Sequence, residues 1–193
     1  LIKGRRPALG TFSGMRSVAY GLALVVCFSQ RVAASAKRGI AKSNLRDHQL
    51  HALKQGVSWG YNWQMSPRSQ WRSVGMDFMP MVHDHHFPRN GGGQFSALLG
   101  FNEPDIHTQA HMSPWHAAAV WPEVEQVARN LGVRTLVSPA MCGDIGKGTW
   151  WMGEFLKACK NCRVDAVAIH SYWCTLDGVK NLVEHYKRFG KKI

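Results

Sequence analysis

Leu98-Leu99-Gly100-Phe101-Asn102-Glu103-Pro104-Asp105 is an apolar run that stops abruptly at an amide, a carboxylate and a proline. With Ala97 before it, the run reads as a buried strand over residues 97–101, with Glu103 just past its C-terminal tip. In parallel α/β folds that end of a strand is where ligands bind and catalysis occurs. A carboxylic acid beside an amide suits glycoside hydrolysis. The acid protonates the leaving oxygen while the amide holds the sugar 2-hydroxyl through an oxocarbenium-like transition state. The same residues also fit a structural role, with Glu103 capping a helix begun by Pro104, and their chemistry alone does not choose.

Working outward, five more stretches are short, β-branched or aromatic, and bounded by Gly, Pro or polar residues. They are residues 57–63 (VSWGYNW), 76–82 (MDFMPMV), 135–137, 164–169 (VDAVAI) and 191–193, the last barely begun. Helical patterns lie between them. Ser113 as N-cap and Pro114 at the first helical position open one. Val120, Val124, Val127 and Leu131 repeat along it, Gly132 ends it, and Pro122 is expected to split or kink it. Residues 150–158 (WWMGEFLKA) and 179–189 (VKNLVEHYKRF) supply two more. This alternation predicts parallel βα units in one α/β domain. A closed eight-stranded barrel takes about 200–250 residues. The expectation is therefore a (β/α)8 TIM-barrel-like domain incomplete at its C-terminus, whose open strand edges invite aggregation.

The N-terminus has a different character. Residues 1–14 precede a candidate initiator, Met15, and read as an upstream extension. Met15-Arg16, the 12-residue apolar run at 17–28 (SVAYGLALVVCF) and Ala34-Ser35-Ala36 follow the order of a secretory signal peptide cleaved after Ala36. The run lacks the amphipathic period of a buried helix and falls short of the ~20 residues that span a bilayer. The expected mature domain is 37–193, secreted and membrane-free after signal removal. Loss of Lys3, Arg5, Arg6, Arg16 and Arg31 lowers the formal charge from +12 to +7. The remaining basic residues are scattered, with no arginine-rich run or recognised binding module, so nucleic acid is not an expected partner. A content of 45% hydrophobic and 19% charged residues excludes a disordered or collagen-like chain. Cys142, Cys159, Cys162 and Cys174 remain, an even number that predicts two disulfides in one of three connectivities. The Cys159–Cys162 spacing also occurs in redox and half-zinc motifs, but no second pair stands at zinc spacing.

Two other strands end in hydrogen-bonding and aromatic residues: Tyr61-Asn62-Trp63 and His170-Ser171-Tyr172-Trp173. Sugar rings stack apolar C–H faces on Trp and Tyr and offer hydroxyls to polar neighbours. Eight Trp in the chain suit such a groove, although Trp115 and Trp121 read as packing residues of the helix. Taken in order, SWGYNW, DFMPMV, LLGFNEPD, Ser138-Pro139-Ala140, WWMGEFLKACKNC and VDAVAIHSYW resemble the Asl1-like glycoside hydrolases of family 128, secreted endo-β-1,3-glucanases. The resemblance runs from about Lys37 to Ile193 and rests on LLGFNEPD combined with the His-x-Tyr strand. It implies a (β/α) barrel, a retaining mechanism and β-1,3-glucan as substrate. No cofactor is expected, and the protein is expected to be monomeric, extracellular or wall-associated. Glu103 matches the family's general acid/base and Asn102 the amide beside it. His170 and Tyr172 fall on the site strand, and Tyr61, Asn62 and Trp63 on the first; Trp173 joins them as a candidate sugar contact.

The family's nucleophile is a second Glu in a Trp-x-Thr-Glu-Phe-Ala type segment on a later strand. Residues 191–193 lead toward that strand, and the sequence stops before the Glu. The implied reading is a glucan hydrolase whose 193-residue form lacks its nucleophile; the alternative is a secreted, non-catalytic β-glucan-binding pseudoenzyme. Glu154 is no substitute, because it lies in a helical pattern before the His170 strand, whereas a retaining pair needs carboxyls ~5–5.5 Å apart. Glu123, Glu125 and Glu184 fall on helix surfaces. Residues 83–95 (HDHHFPRNGGGQF) are too few and too Gly-rich for the helical crossover of about a dozen residues or more expected there. Their His83-Asp84-His85-His86 run offers metal-ligand residue types. Neighbouring side chains in a strand or loop diverge, however, so no metal site is expected.

Overall fold

The structure, a computed structural model, describes residues 35–67, 70–87 and 93–193. The expected extension at 1–14 and the signal segment through residue 34 lie outside the described residues. Among the described residues, six strands run parallel. β1 (Ser35–Ala41) pairs with β2 (Val57–Tyr61) across α1 (Asp47–Leu53), and β2 pairs with β3 (Asp77–Phe78). β4 (Ala97–Leu98) pairs with β5 (Thr135–Met141), and β5 with β6 (Ala166–Ile169). A parallel bridge between Met81 and Leu99 joins the two halves, so the strands stand side by side in chain order. Another parallel bridge sets Lys192 against Ala166, on β6. Among the described residues, no helix is long and apolar enough to cross a membrane.

Each strand after β3 is followed by a helix: α2 (Pro114–Asn130), α3 (Ile145–Ala158) and α4 (Leu176–Lys187). Ser113 caps α2 as expected, its side chain accepting the His116 N–H at 3.1 Å. Pro122 neither splits nor ends this helix, which continues to Asn130. Proline removes one N–H at a typical cost of ~3 kcal/mol. The buried stripe Ala117, Ala118, Trp121, Val124 and Ala128 passes through that position and offsets the loss. The expected stripe holds at Val124 and Leu131, which are buried, whereas Val120 and Val127 are only half-buried. Trp121 is fully buried, packed edge-on against Phe101 at 5.6 Å and Phe155 at 5.2 Å, and its indole N–H donates to the Arg163 carbonyl. Trp115 does not pack inward as expected: it is 55% exposed at the start of α2, against the equally exposed Trp150.

Two further differences matter. β1 has no apolar alternation and was not foreseen, and it takes in Ser35 and Ala36, ahead of the expected cleavage point. Cleavage there would still leave the register Gly39 to Trp59, Ile40 to Gly60 and Ala41 to Tyr61. Instead of two disulfides there is one among the described residues, Cys159–Cys162, while Cys142 and Cys174 are thiols. It closes the end of α3, beside the buried contact of Cys159 with the Ala118 carbonyl.

Candidate active site

Gly100 starts the construction. A Cβ there would stand 2.8 Å from the Val137 oxygen and the Ser138 carbonyl carbon, so only glycine lets β4 lie this close to β5. Beyond it the chain is zipped on both sides. Ala140 N–H donates to the Phe101 carbonyl at 3.0 Å, Asn102 N–H to His83 at 2.9 Å, and Glu103 N–H to Ala140 at 2.8 Å. Glu103 then turns left-handed, with φ 43°, and its carbonyl accepts the Ile106 N–H in a tight turn. Pro104 begins no helix, since α2 starts at Pro114. The helix-capping alternative for Glu103 therefore fails.

The Glu103 carboxylate is buried, at 6% exposure. Its Oε1 accepts two hydrogen bonds from the end of β6: His170 Nδ1 at 2.7 Å and the Tyr172 hydroxyl at 2.5 Å. Burial raises the carboxyl pKa, but the hydrogen bonds from Tyr172 and His170, with the His170 charge and a Cys142 contact, outweigh it. The net effect is a pKa below the ordinary carboxylate value. The Tyr172 hydroxyl is pushed well up, chiefly because it donates to Glu103. Tyr61 is raised by burial and then by the Glu103 charge, and burial followed by the charges of Glu103 and Asp105 raises the Cys142 thiol. Glu103 thus behaves as the local source of negative charge for its neighbours.

Around it opens a cleft of about 600 Å³, with Tyr61, Trp63, Asn102, His170 and Tyr172 in its walls. Tyr61 and Trp63 meet edge to face at 5.2 Å. Asn102 gives its amide N–H to Gln109 at 3.0 Å, while its Oδ1 is buried without a partner among the described residues. That orphan acceptor can receive a hydroxyl from a ligand. Two expected site residues are elsewhere. Asn62 is buried in the turn after β2, donating to the Ser66 carbonyl and accepting the Gln64 N–H, so it shapes the loop. Trp173 is half-exposed outside the cleft walls and packs over Gly178, because the chain has left β6 by that point. Ser43, His83, Gln109 and Ser171 line the cleft and were missed. His83 was detectable, since it directly follows the 76–82 strand pattern. Glu154 lies on α3 and pairs with Lys157 at 2.6 Å, away from the cleft as expected. Asp105 is near Glu103, but its Oδ1 takes the Cys142 N–H at 3.2 Å and it does not line the cleft.

A parallel βα wall that holds one buried carboxylate at a strand tip, over an aromatic cleft, defines a site of the glycosidase type. The chain belongs to the family described as glycosyl hydrolase catalytic core, whose profile matches residues 39–193. Alkali-sensitive linkage protein 1 of Schizosaccharomyces pombe (strain 972 / ATCC 24843) is 26% identical over 166 residues, 82% of this chain and 30% of that protein. The chain thus spans less than a third of that relative's length. A family 128, subgroup II endo-β-1,3-glucanase from Sorangium cellulosum is 31% identical, covering 80% of this chain and 69% of that one with a TM-score of 0.63. A subgroup III, curdlan-specific exo-β-1,3-glucanase from Blastomyces gilchristii, in complex with glucose, is also 31% identical. It covers 80% of this chain and 71% of that one, with a TM-score of 0.64.

Proposed function

We propose that this chain carries the acid/base half of a β-1,3-glucan hydrolase acting with retention. The observation that supports it is Glu103 Oε1, buried at a strand tip, gripped by His170 and Tyr172, and facing a cleft walled by Tyr61 and Trp63. In the first half-reaction Glu103 gives a proton to the glycosidic oxygen; in the second it takes one from the attacking water. Its hydrogen bonds alone favour the ionised form. A second carboxylate ~5–5.5 Å away would raise the Glu103 pKa by like-charge repulsion and make it an acid for the first step. No second carboxylate lines the cleft among the described residues. We place the nucleophile on a strand running on from Lys192 beside β6, which would also extend the wall toward a closed (β/α)8 barrel. Asn102 Oδ1 would receive the sugar 2-hydroxyl, and Tyr61, Trp63 and Tyr172 would stack on the rings. A glucan-binding protein without turnover is the second reading, favoured by that lone carboxylate in the cleft.

The test compares residues 37–193 with a chain continued through the next strand, on laminarin and curdlan. The longer chain should release sugars with retained configuration, the shorter should not, and Glu103→Gln should abolish turnover. The longer chain carrying Glu103→Ala, given azide and an aryl β-glucoside whose leaving group departs without a proton, should yield the β-glycosyl azide. Full hydrolysis by the longer chain carrying Glu103→Gln would refute the assignment. We also propose that the protein is secreted: the species recovered from culture medium should begin at Lys37, and retention in the cell with residues 15–36 attached would count against it.

A further inference from the structure

The stretch following β3 gathers nitrogen and oxygen donors that the glucan site does not use. We propose that Asp84, His85 and His86 form a binding site for a divalent transition-metal ion of the Zn(II) or Cu(II) kind. One ligand atom from each of the three lies within 4.8 Å of the other two. The expected divergence of neighbouring side chains fails because this segment is bent instead of extended. Asp84 Oδ1 accepts the His86 backbone N–H at 2.8 Å, which folds the chain back, and the same oxygen meets His86 Nδ1 at 2.7 Å.

The spacing is close to what an ion requires. Two donors on Zn(II), each at about 2.0–2.2 Å, stand about 3.3 Å apart in tetrahedral geometry. Opening the Asp84–His86 contact by about half an ångström lets the ion replace the shared proton. The His85 ring centre is 4.4 Å from that of His86 and 6.0 Å from that of His116 on α2. Two imidazoles on one ion have centres about 5–6 Å apart, so the His85 and His86 rings must open by about an ångström to share it, and His116 is in reach as a fourth ligand, with water as the other candidate. Imidazole with carboxylate selects zinc, copper or nickel, whereas calcium and magnesium prefer sets made of oxygen. Asp84 Oδ2 is steadied by His83 Nδ1 at 3.3 Å, the kind of outer partner that orients metal-bound carboxylates. The His86 side chain is 80% exposed, which leaves an entry path. Because His83 also lines the Glu103 cleft, the ion would sit at the rim of the sugar groove.

Equilibrium dialysis of the full chain against micromolar Zn(II), with Co(II) absorption as a second readout, tests this. One ion per chain is expected. The affinity should fall at least tenfold in a His85→Gln, His86→Gln double variant and stay unchanged in His185→Gln on α4. His83→Gln should weaken it roughly 10- to 100-fold, as loss of an outer partner does. The substitutions at the two exposed residues, His85 and His86, should leave the circular dichroism spectrum unaltered. Bound Co(II) should lack the thiolate charge-transfer band that capture by Cys142 or Cys174 would produce. No uptake, equal uptake by the double variant, or a thiolate band at full occupancy would each overturn the proposal.

Discussion

Gly100→Ala isolates the close approach on which the site is built. The added methyl would lie 2.8 Å from the Val137 oxygen, 2.8 Å from the Ser138 carbonyl carbon and 2.9 Å from Pro139 N. All three atoms are backbone, so no side chain can swing aside, and β4 and β5 must part by about half an ångström to restore ordinary contact. Overpacking of this kind costs about 1–3 kcal/mol. At about 2–4 °C per kcal/mol for a domain of this size, the melting temperature should drop by roughly 2–12 °C. The displacement also reaches the site. Glu103 hangs from Ala140 on β5 by a single backbone bond and receives His170 and Tyr172 from β6. Misplacement by 1 Å can cost about 100-fold in rate, so glucan binding or turnover should fall with stability. Gly56→Ala is the internal control: its nearest neighbour is Leu53 O at 4.0 Å, and a gain of about 0.4–1 kcal/mol is expected. Thermal melts with glucan affinity on the same samples decide the matter. A Gly100→Ala chain melting within a degree of the parent, with unchanged affinity, would refute the argument.

Glu103 is held below its ordinary pKa of 4.5 when folded. Its stabilisation is therefore present above that value and lost as pH falls through the folded pKa. Tyr172→Phe removes one of its two donors and should shift the acid limb of the stability curve to higher pH, as urea titrations between about pH 3 and pH 7 would show. Asn102→Ala deletes the unpartnered Oδ1 together with the amide that donates to Gln109, so it should weaken laminari-oligosaccharide binding about tenfold, or ~1.4 kcal/mol, and lower the melting temperature by a few degrees. Reducing Cys159–Cys162 opens a loop with a sequence separation of only 3. It should cost no more than ~2 kcal/mol and leave glucan binding intact, measured by titration with and without reductant.

What the sequence made legible was what a single strand or helix decides locally. Leu98 to Asp105 announced both a buried strand and an acid at its tip, and Ser113-Pro114 announced a helix start, because each rests on nearest-neighbour chemistry. His170 and Tyr172 were placed through the resemblance, and their convergence on one oxygen of Glu103 required the β4–β5–β6 register. β1 escaped notice because Ser35–Ala41 is small and basic, with pairing to β2 as its main support. Asn62 and Trp173 were misjudged for a shared reason. Closeness to a strand end does not say which way a side chain turns once the pleat has ended. Asn62 spends its amide on its own loop, and Trp173 folds onto α4. His83 is of metal-ligand type by sequence, but its position after the 76–82 strand puts it on the cleft edge. An even cysteine count predicts a second disulfide whatever the pairing, and parity ignores where the chain carries Cys142 and Cys174.

The left-handed turn at Glu103 bears on how this site changes over generations. A residue other than glycine at φ 43° carries a conformational penalty of about 1–3 kcal/mol, and asparagine or glycine would occupy the same turn more comfortably. On the proposed acid/base role of Glu103, selection for turnover and selection for an unstrained turn pull against each other at one codon. On that role, a lineage freed from the need to cleave glucan should drift toward Gly or Asn at position 103, with the relieved turn strain set against the lost hydrogen bonds from His170 and Tyr172.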